Sequence, residues 1–214
     1  MNKILCLMQI CTNPSNEMSN VGQERIQQYV NGFAKFFENI NTLNDHNVDI
    51  LVFDNSIAEN EKLPQEILNT FPSNVCALTS NQNKYGKYNK GAGLIETWIY
   101  LQNRISQYDY LIHFEPRQLL LNFNFINHFL NNNSNLFTMG NINVKHFNTG
   151  LFTINCDSLI KYINQVDLNL MVFKQISIEY DIYDYFVKNK IPFFLKDKME
   201  LIWHDIFTNT NFLM

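Results

Sequence analysis

Few residues in this chain have both the type and the setting to do chemistry. Asp54 closes the apolar run Val48-Asp49-Ile50-Leu51-Val52-Phe53 and leads into the small polar turn Asn55-Ser56. Glu115 and Arg117 flank Pro116 directly after a second apolar run, Tyr108 to Phe114. Arg117 offers five donors, no acceptor and a permanent charge, so it cannot ligate a metal. It can grip a diphosphate with a bidentate fork. The loop from Ser80 to Lys90 carries three lysines and runs into Asn89-Lys90-Gly91-Ala92-Gly93. Small residues there permit close backbone approach, and the first amides of a helix favour an anion. Tight helix–sheet packing would demand the same glycines. Glu179 and Asp181 follow Ser177, an N-cap residue type, in what reads as the first turn of a helix. Acids in that place are stabilising through the helix dipole whatever else they do.

The remaining reactive side chains form no familiar pattern. Cys6, Cys11, Cys76 and Cys156 make no CxxC pair, and no Cys/His cluster has zinc spacing. The five histidines, His204 the last of them, are scattered, and no Ser-His-Asp or Cys-His signature is legible from spacing. The expectation is reduced, buried cysteines of a cytosolic protein, not a disulfide framework.

The elements that must position these residues follow from hydrophobic patterning. Ile4 to Ile10 is a short, almost wholly apolar run, as expected of a buried strand. A helix is predicted from about Val21 to Asn41, since Ile26, Tyr29, Val30, Phe33, Phe37 and Ile40 share one face. Val48 to Phe53 is a second buried strand, a short helix follows Pro64, and Val75 to Thr79 is a third strand. A helix from about Asn89 to Ser106 precedes a strand over Tyr108 to Phe114, cut by Pro116. Beyond it the pattern gives a helix near 123–131 and strands at 136–140 and 150–154. Helices near 157–164 and 177–189 follow, then strands at 191–195 and 199–203. Strands alternating with helices over the first half predict right-handed βαβ units and a largely parallel sheet, with a less regular, more β-rich second half. In open α/β sheets ligands bind beyond the carboxyl ends of the strands. That puts Asp54, the Ser80–Lys90 loop and Glu115–Arg117 on one rim.

Composition bounds the function classes. The chain has 214 residues, about one and a half average domains, and is read as one. At 46 % hydrophobic it can bury a sizeable core, which excludes a disordered chain. A formal charge of −4 and three arginines argue against an extended nucleic-acid surface. The longest apolar runs fall far below the ~18–20 residues of a membrane span. The N-terminal run is short, interrupted by Gln9 and followed by no small-residue cleavage site, so it does not read as a signal peptide. The 33 asparagines suggest an AT-rich genome and solvated turns.

Taken in order, these segments resemble a glycosyltransferase of the GT-A fold, most like the large family-2 group, over roughly residues 48–205. Asp49 to Ser56 looks like the family's second strand, whose terminal Asp contacts the nucleotide base or ribose. Asn89-Lys90-Gly91-Ala92-Gly93 is similar to the family's Asn-x-Gly-x-x helix start. Asp109-Tyr110-Leu111-Ile112-His113-Phe114-Glu115-Pro116-Arg117 aligns without gaps with the strand that ends in Asp-x-Asp, the metal-binding motif of the family. Here the motif is degenerate: the first acid is Glu115 and the second is replaced by Arg117. Phe147-Asn148-Thr149-Gly150-Leu151-Phe152 resembles the turn that lines the donor sugar and acceptor. Ile178-Glu179-Tyr180-Asp181, about ten residues before Ile191-Pro192-Phe193, resembles the helix start that carries the general base. Trp203-His204-Asp205 resembles the late His that reaches back to the metal or diphosphate.

The resemblance implies one GT-A-like domain over 1–214, with a nucleotide-binding half at about 1–117 and an acceptor and donor-sugar half at about 118–214. It implies an enzyme, an inverting bacterial transferase of hexosyl type that moves a sugar from a nucleotide-diphospho-sugar to a hydroxyl of a surface glycan or polysaccharide. Glu179 or Asp181 is the expected base, with the count back from the Lys190-Ile191 boundary favouring Glu179. Asp54, Asn89, Lys90, Gly91, Glu115, Arg117, Asn148, Gly150 and His204 are the expected donor-binding residues, and Lys87 could serve beside Lys90. UDP is expected as the commonest nucleotide of the group. No cofactor is expected, since Arg117 stands where a metal ligand would; if Mn or Mg is used, Glu115 and His204 are its ligands. The alternative for Arg117 is a purely structural pair with Glu115. The acceptor is a glycan or lipid-linked, the location cytoplasmic or peripheral at the inner membrane face, and the oligomeric state is open. Two other classes compete. A non-catalytic GT-A-like subunit would bind a partner transferase or glycan. A nucleotidyltransferase would need a Gly-rich basic loop after the first strand, yet residues 11–17 hold no Gly, Lys or Arg.

Overall fold

The computed structural model describes residues 1–13, 22–141, 144–205 and 210–213. In chain order the elements are β1 (Ile4–Ile10), α1 (Gly22–Phe37), α2 (Asn41–Asn44), β2 (Val48–Asp54), α3 (Gln65–Leu68) and β3 (Val75–Thr79). Then come α4 (Lys90–Tyr100), α5 (Gln102–Ile105), β4 (Tyr110–Phe114), β5 (Leu119–Leu120), α6 (Asn124–Asn132), β6 (Leu136–Asn141), β7 (Val144–Phe147) and β8 (Leu151–Asn155). The chain continues through α7 (Cys156–Ile163), α8 (Leu168–Lys174), α9 (Ile178–Lys188), β9 (Phe194–Lys196), β10 (Leu201–Asp205) and β11 (Thr210–Leu213).

An eight-stranded sheet runs in the order β3-β2-β1-β4-β8-β6-β7, with β9 paired to β6. The first four strands are parallel, with Ile4 opposite both Val48 and Tyr110. β8 returns antiparallel to β4, with Leu151 opposite Phe114. A small sheet β11-β10-β5 stands apart. β1 is flanked by β2, next in sequence, and by β4, which comes only after β3 has been added on the far side of β2. The strand order therefore reverses at β1, the switch point where open α/β sheets bind ligands.

The period-two alternation of strand side chains sorts the core into two layers. Cys6, Met8, Val52 and Phe114 face α1, α3 and α6, where they meet Phe33, Phe36, Ile67 and Phe129. Leu5, Leu7, Leu51 and Phe53 face the other way, against Ile95 and Trp98 of α4, Leu159 of α7 and Phe186 of α9. Helices on both faces explain why β1, β2 and β4 read as nearly continuous apolar runs. No helix among the described residues is long and apolar enough to cross a membrane.

Two predicted helices are shorter than their patterns. The first stops at Phe37, where Asn39 and Ile40 close tighter i→i+3 turns onto Phe36 and Phe37, and the chain restarts as α2. The helix expected to reach Ser106 breaks at Leu101, whose φ of −88° and ψ of 5° leave the helical region and divide α4 from α5. The strand placed at 108–114 begins at Tyr110, because Asp109 and Tyr110 amides bond back to the Lys3 carbonyl. All four cysteines are free thiols.

Candidate active site

The carboxyl ends of β1, β2, β3 and β4 lie on one edge of the sheet, and the antiparallel β8 starts there too. That edge collects Cys11 to Asn13, Asp54 to Ser56, the loop before α4, Glu115 to Gln118 and the turn 148–150. The rim predicted from the strand ends is the rim observed.

At its centre Arg117 clasps Glu115. The guanidinium donates from Nη2 to Glu115 Oε1 and from Nε to the same oxygen at 3.1 Å. Gln118 Nε2 approaches the other carboxylate oxygen at 3.3 Å. The Arg117 and Glu115 side chains keep 18 % and 33 % exposure, so a ligand can reach both. Burial by itself would push the Glu115 carboxyl up. The Arg117 guanidinium overrides it and, with His113 and Lys90, holds the group at about 2. The carboxylate in turn pushes Arg117 further above its ordinary range, against its own burial. The result is a permanently ionised pair with the guanidinium's remaining N–H groups uncommitted to Glu115.

Asp54 is fully buried and saturated. Thr12 donates its amide at 3.1 Å and its hydroxyl at 2.5 Å to Oδ2; Ser56 donates its amide at 2.8 Å and its hydroxyl at 2.5 Å to Oδ1. In this arrangement Asp54 ties the β1 end to the β2 end. Tyr29 of α1 accepts from the Cys11 amide at 2.9 Å, and Arg25 Nε donates to the Cys11 carbonyl at 2.6 Å. Burial pushes the Cys11 thiol up, with the Arg25 and Arg117 charges pulling the other way.

Asn89 is the N-cap of α4. Its side-chain oxygen accepts from the Ala92 amide at 3.0 Å, while its nitrogen donates to the carbonyls of Met171 at 3.2 Å and Ile176 at 2.9 Å. The amide is thus committed to joining α4 to the α8–α9 connection. Gly91 lies under Ile178, the first residue of α9: a Cβ on it would come within 2.8 Å of the Ile178 Cβ. Gly93 likewise faces Gly86 of the preceding loop. Gly91 is spent on helix-to-helix approach and Gly93 on the approach of the loop to α4. Lys90 acts electrostatically on Glu115, whereas Lys87 reaches over the Tyr88 ring at 4.9 Å.

The 148–150 turn joins the two halves of the rim. Asn148 Oδ1 accepts from the Gly150 amide at 2.9 Å, and the Gly150 carbonyl accepts from the Glu115 amide at 2.9 Å. No described glycine has a positive φ, so Gly150 does not supply the backbone freedom a turn glycine usually does. What matters is its missing Cβ, which would lie 2.5 Å from the Gln118 side-chain amide. Thr149 donates to Glu179 Oε1 at 2.9 Å, and Ser177 donates to Oε2. Ser177 holds the N-cap position of α9, but its hydroxyl serves Glu179 and makes no cap bond. Asp181 turns the other way, accepting from the Tyr162 hydroxyl of α7 at 2.8 Å. Of the two candidate bases, only Glu179 is bonded to the rim. His204 lies in β10, and its side chain is outside the described residues.

An Asp-x-Asp motif would hold a divalent metal. At 115–117 the third residue carries a guanidinium, and the one carboxylate is already bonded to it. Among the described residues no three His, Cys, Asp or Glu side chains gather in a metal-holding group. The described donors do not fit a divalent cation; His204, the other ligand expected if one were used, lies outside them. Thr12 and Gln118 escaped the sequence reading; Ser56, Tyr29, Thr149 and Ser177 enter it as turn, helix-face, turn and N-cap residues, but not for the bonds they make here. Thr12, Tyr29 and Thr149 bond partners 18 or more residues away, which no local pattern encodes.

No described protein family matches the sequence, and no curated protein matches it. The fold has solved counterparts. A candidate nucleotide-diphospho-sugar transferase from Desulfovibrio desulfuricans is similar, with a TM-score of 0.58 at 10 % identity, over 92 % of this chain and 80 % of that one. A cytidylyltransferase from Leptospira borgpetersenii gives 0.47 at 13 % identity, over 92 % and 77 %. The galactosyltransferase LgtC, solved with donor and acceptor sugar analogues, gives 0.42 at 12 % identity, over 86 % and 69 %. At these identities the likeness is one of fold. The last two superpose too loosely to choose between transferase classes.

Proposed function

We propose that the chain is a glycosyltransferase that moves a sugar from a nucleotide-diphospho-sugar, taken as a UDP-sugar, to a hydroxyl of a surface glycan or polysaccharide. The observation that carries this reading is the Arg117–Glu115 pair at the switch point of the sheet, bonded through Gly150 and Thr149 to Glu179. The donor lies across the ends of β1 and β4, its diphosphate against Arg117 and Lys90. Glu115 fixes the guanidinium and accepts from a ribose or sugar hydroxyl. Glu179 takes the proton of the acceptor hydroxyl, whose oxygen bonds the anomeric carbon. The bond from that carbon to the phosphate oxygen breaks, and the nucleoside diphosphate leaves with its new negative charge met by Arg117. Such preorganised charge is the largest single contribution in many enzymes. The reaction proceeds without a metal, because Arg117 supplies the neutralising charge.

One observation favours a second reading. The Asp54 carboxylate, expected to hold the nucleoside, has all its acceptor sites filled from within the chain, as a non-catalytic glycan-binding subunit would tolerate.

Thermal-shift screening against UDP-, GDP-, CMP- and dTDP-sugars, followed by turnover assays with EDTA or manganese, tests both. Stabilisation by one nucleotide sugar and full turnover in EDTA are expected, with Arg117→Ala losing about 10²-fold or more in kcat/KM. Activity abolished by EDTA and restored by manganese overturns the metal-free mechanism. Absence of turnover with every donor supports the binding subunit. Pyrophosphate release from a nucleoside triphosphate replaces sugar transfer with nucleotidyl transfer.

A further inference from the structure

A cavity of about 260 Å³ opens beside Arg117, between α1 and the small sheet. Glu24, Gln28 and Asn31 of α1 and Arg117 form its walls; Leu119 of β5 and Ile202 of β10 are its apolar part. Gln27 joins the same wall and donates to Asn31 Oδ1 at 2.8 Å. Positions 24, 27, 28 and 31 share one helix face by spacing. This polar stripe of α1 therefore faces a concavity. The helix is held close by Gly32, where a Cβ would run into the Pro116 carbonyl oxygen. Among the described residues the Glu24 and Gln28 side chains bond no other protein group, so their donors and acceptors are open to a ligand.

We propose that this cavity binds one neutral, non-reacting sugar ring of the acceptor glycan. A sugar ring has hydroxyl edges and a C–H face. The cavity matches both, with planar amide, carboxylate and guanidinium groups on its walls and two aliphatic side chains below. Such planar groups can engage neighbouring hydroxyls in pairs, as donor, acceptor or both. The volume lies below the ~300–1,000 Å³ of sites for drug-sized ligands, so it suits one ring and not a nucleotide sugar. Glu24 opposes an anionic occupant. The link to an acceptor rests on the sugar-transfer reading above; the binding of a sugar does not.

The test follows the side-chain amide resonances of Gln27, Gln28 and Asn31 by NMR. The probes are glucose, galactose, N-acetylglucosamine, UDP and pyrophosphate, each added separately at millimolar concentration. A neutral sugar is expected to shift the Gln28 and Asn31 amides. The double variant Gln28→Ala, Asn31→Ala, made on the helix surface, is expected to weaken that binding tenfold or more and leave the UDP response of the rim unchanged. If no sugar moves these resonances, or the variant binds sugar as well as the parent, the proposal fails. If UDP moves them instead, the cavity belongs to the donor and the proposal also fails. If a sugar binds there and UDP binds nowhere, the sugar site stands and the transferase reading falls.

Discussion

Two carboxylates, two residues apart on α9, have been given different work. Glu179 receives the hydroxyls of Thr149 and Ser177 and lies on the rim; Asp181 receives the hydroxyl of Tyr162, a residue only 1 % exposed. Their substitutions separate accordingly. Glu179→Gln is expected to lower kcat by about 10²–10⁴, the usual worth of a general base, with little change in melting temperature. Asp181→Ala leaves the buried Tyr162 hydroxyl without its acceptor, a loss of about 1–3 kcal/mol. In a chain of this size each kcal/mol lowers Tm by about 2–4 °C. Turnover and Tm measured on both variants check the assignment; the opposite pattern would make Asp181 the base. The sequence made both acids candidates because a helix start needs acids for its own sake. Which one faces the rim depends on Thr149 and Tyr162, 30 and 19 residues away, and no pattern in 177–181 encodes that.

At the scale of elements, the site depends on how closely α4 and α9 approach. Gly91 and Ile178 make that contact, so Gly91→Ala places a methyl 2.8 Å from a branched side chain at the first residue of α9. Overpacking of this kind costs about 1–3 kcal/mol. The helix start carrying Glu179 must then shift, and a displaced base lowers kcat more than it raises KM. Tm and steady-state kinetics on the purified variant report both effects; a change in KM alone would mean that the glycine serves the donor directly. The elements themselves were legible where burial is two-sided. β1, β2 and β4 read as continuous apolar runs because helices cover both their faces. α8 and β7 were not read at all. α8 is only seven residues, and its core-facing Leu168, Met171 and Val172 are interleaved with exposed Leu170 and Phe173, so no apolar stripe stands out in the sequence. β7 is four residues, Val-Lys-His-Phe, too short for alternation to rise above its neighbours.

For the molecule as a whole, one buried side chain sets a pH limit. His113 lies 2 % exposed in the central strand β4, between the rings of Trp98 and Phe152, and its Nδ1 has no partner among the described residues. Burial lowers its pKa from 6.5 to about 4, with the Glu115 carboxylate opposing. Between those values the unfolded chain binds the extra proton and the folded chain does not, so stability falls as pH drops through that window. The loss approaches ~3 kcal/mol by pH 4. Urea unfolding at pH 7 and pH 4 measures it, and His113→Leu is expected to lose correspondingly less stability on acidification. An equal loss in the variant would assign the effect to other groups.

The strand order carries a consequence for synthesis. β1 leaves the ribosome well before one of its two partners, Tyr110–Phe114, which follows about 100 residues later. At the ~5–20 residues per second of translation, that is a delay of roughly 5–20 seconds. For that time an apolar strand whose second face waits for α4 and the later helices has at most one hydrogen-bonded neighbour. The same arrangement that puts the ligand edge at β1 leaves the nascent segment between β1 and β4 exposed to aggregation until β4 is made.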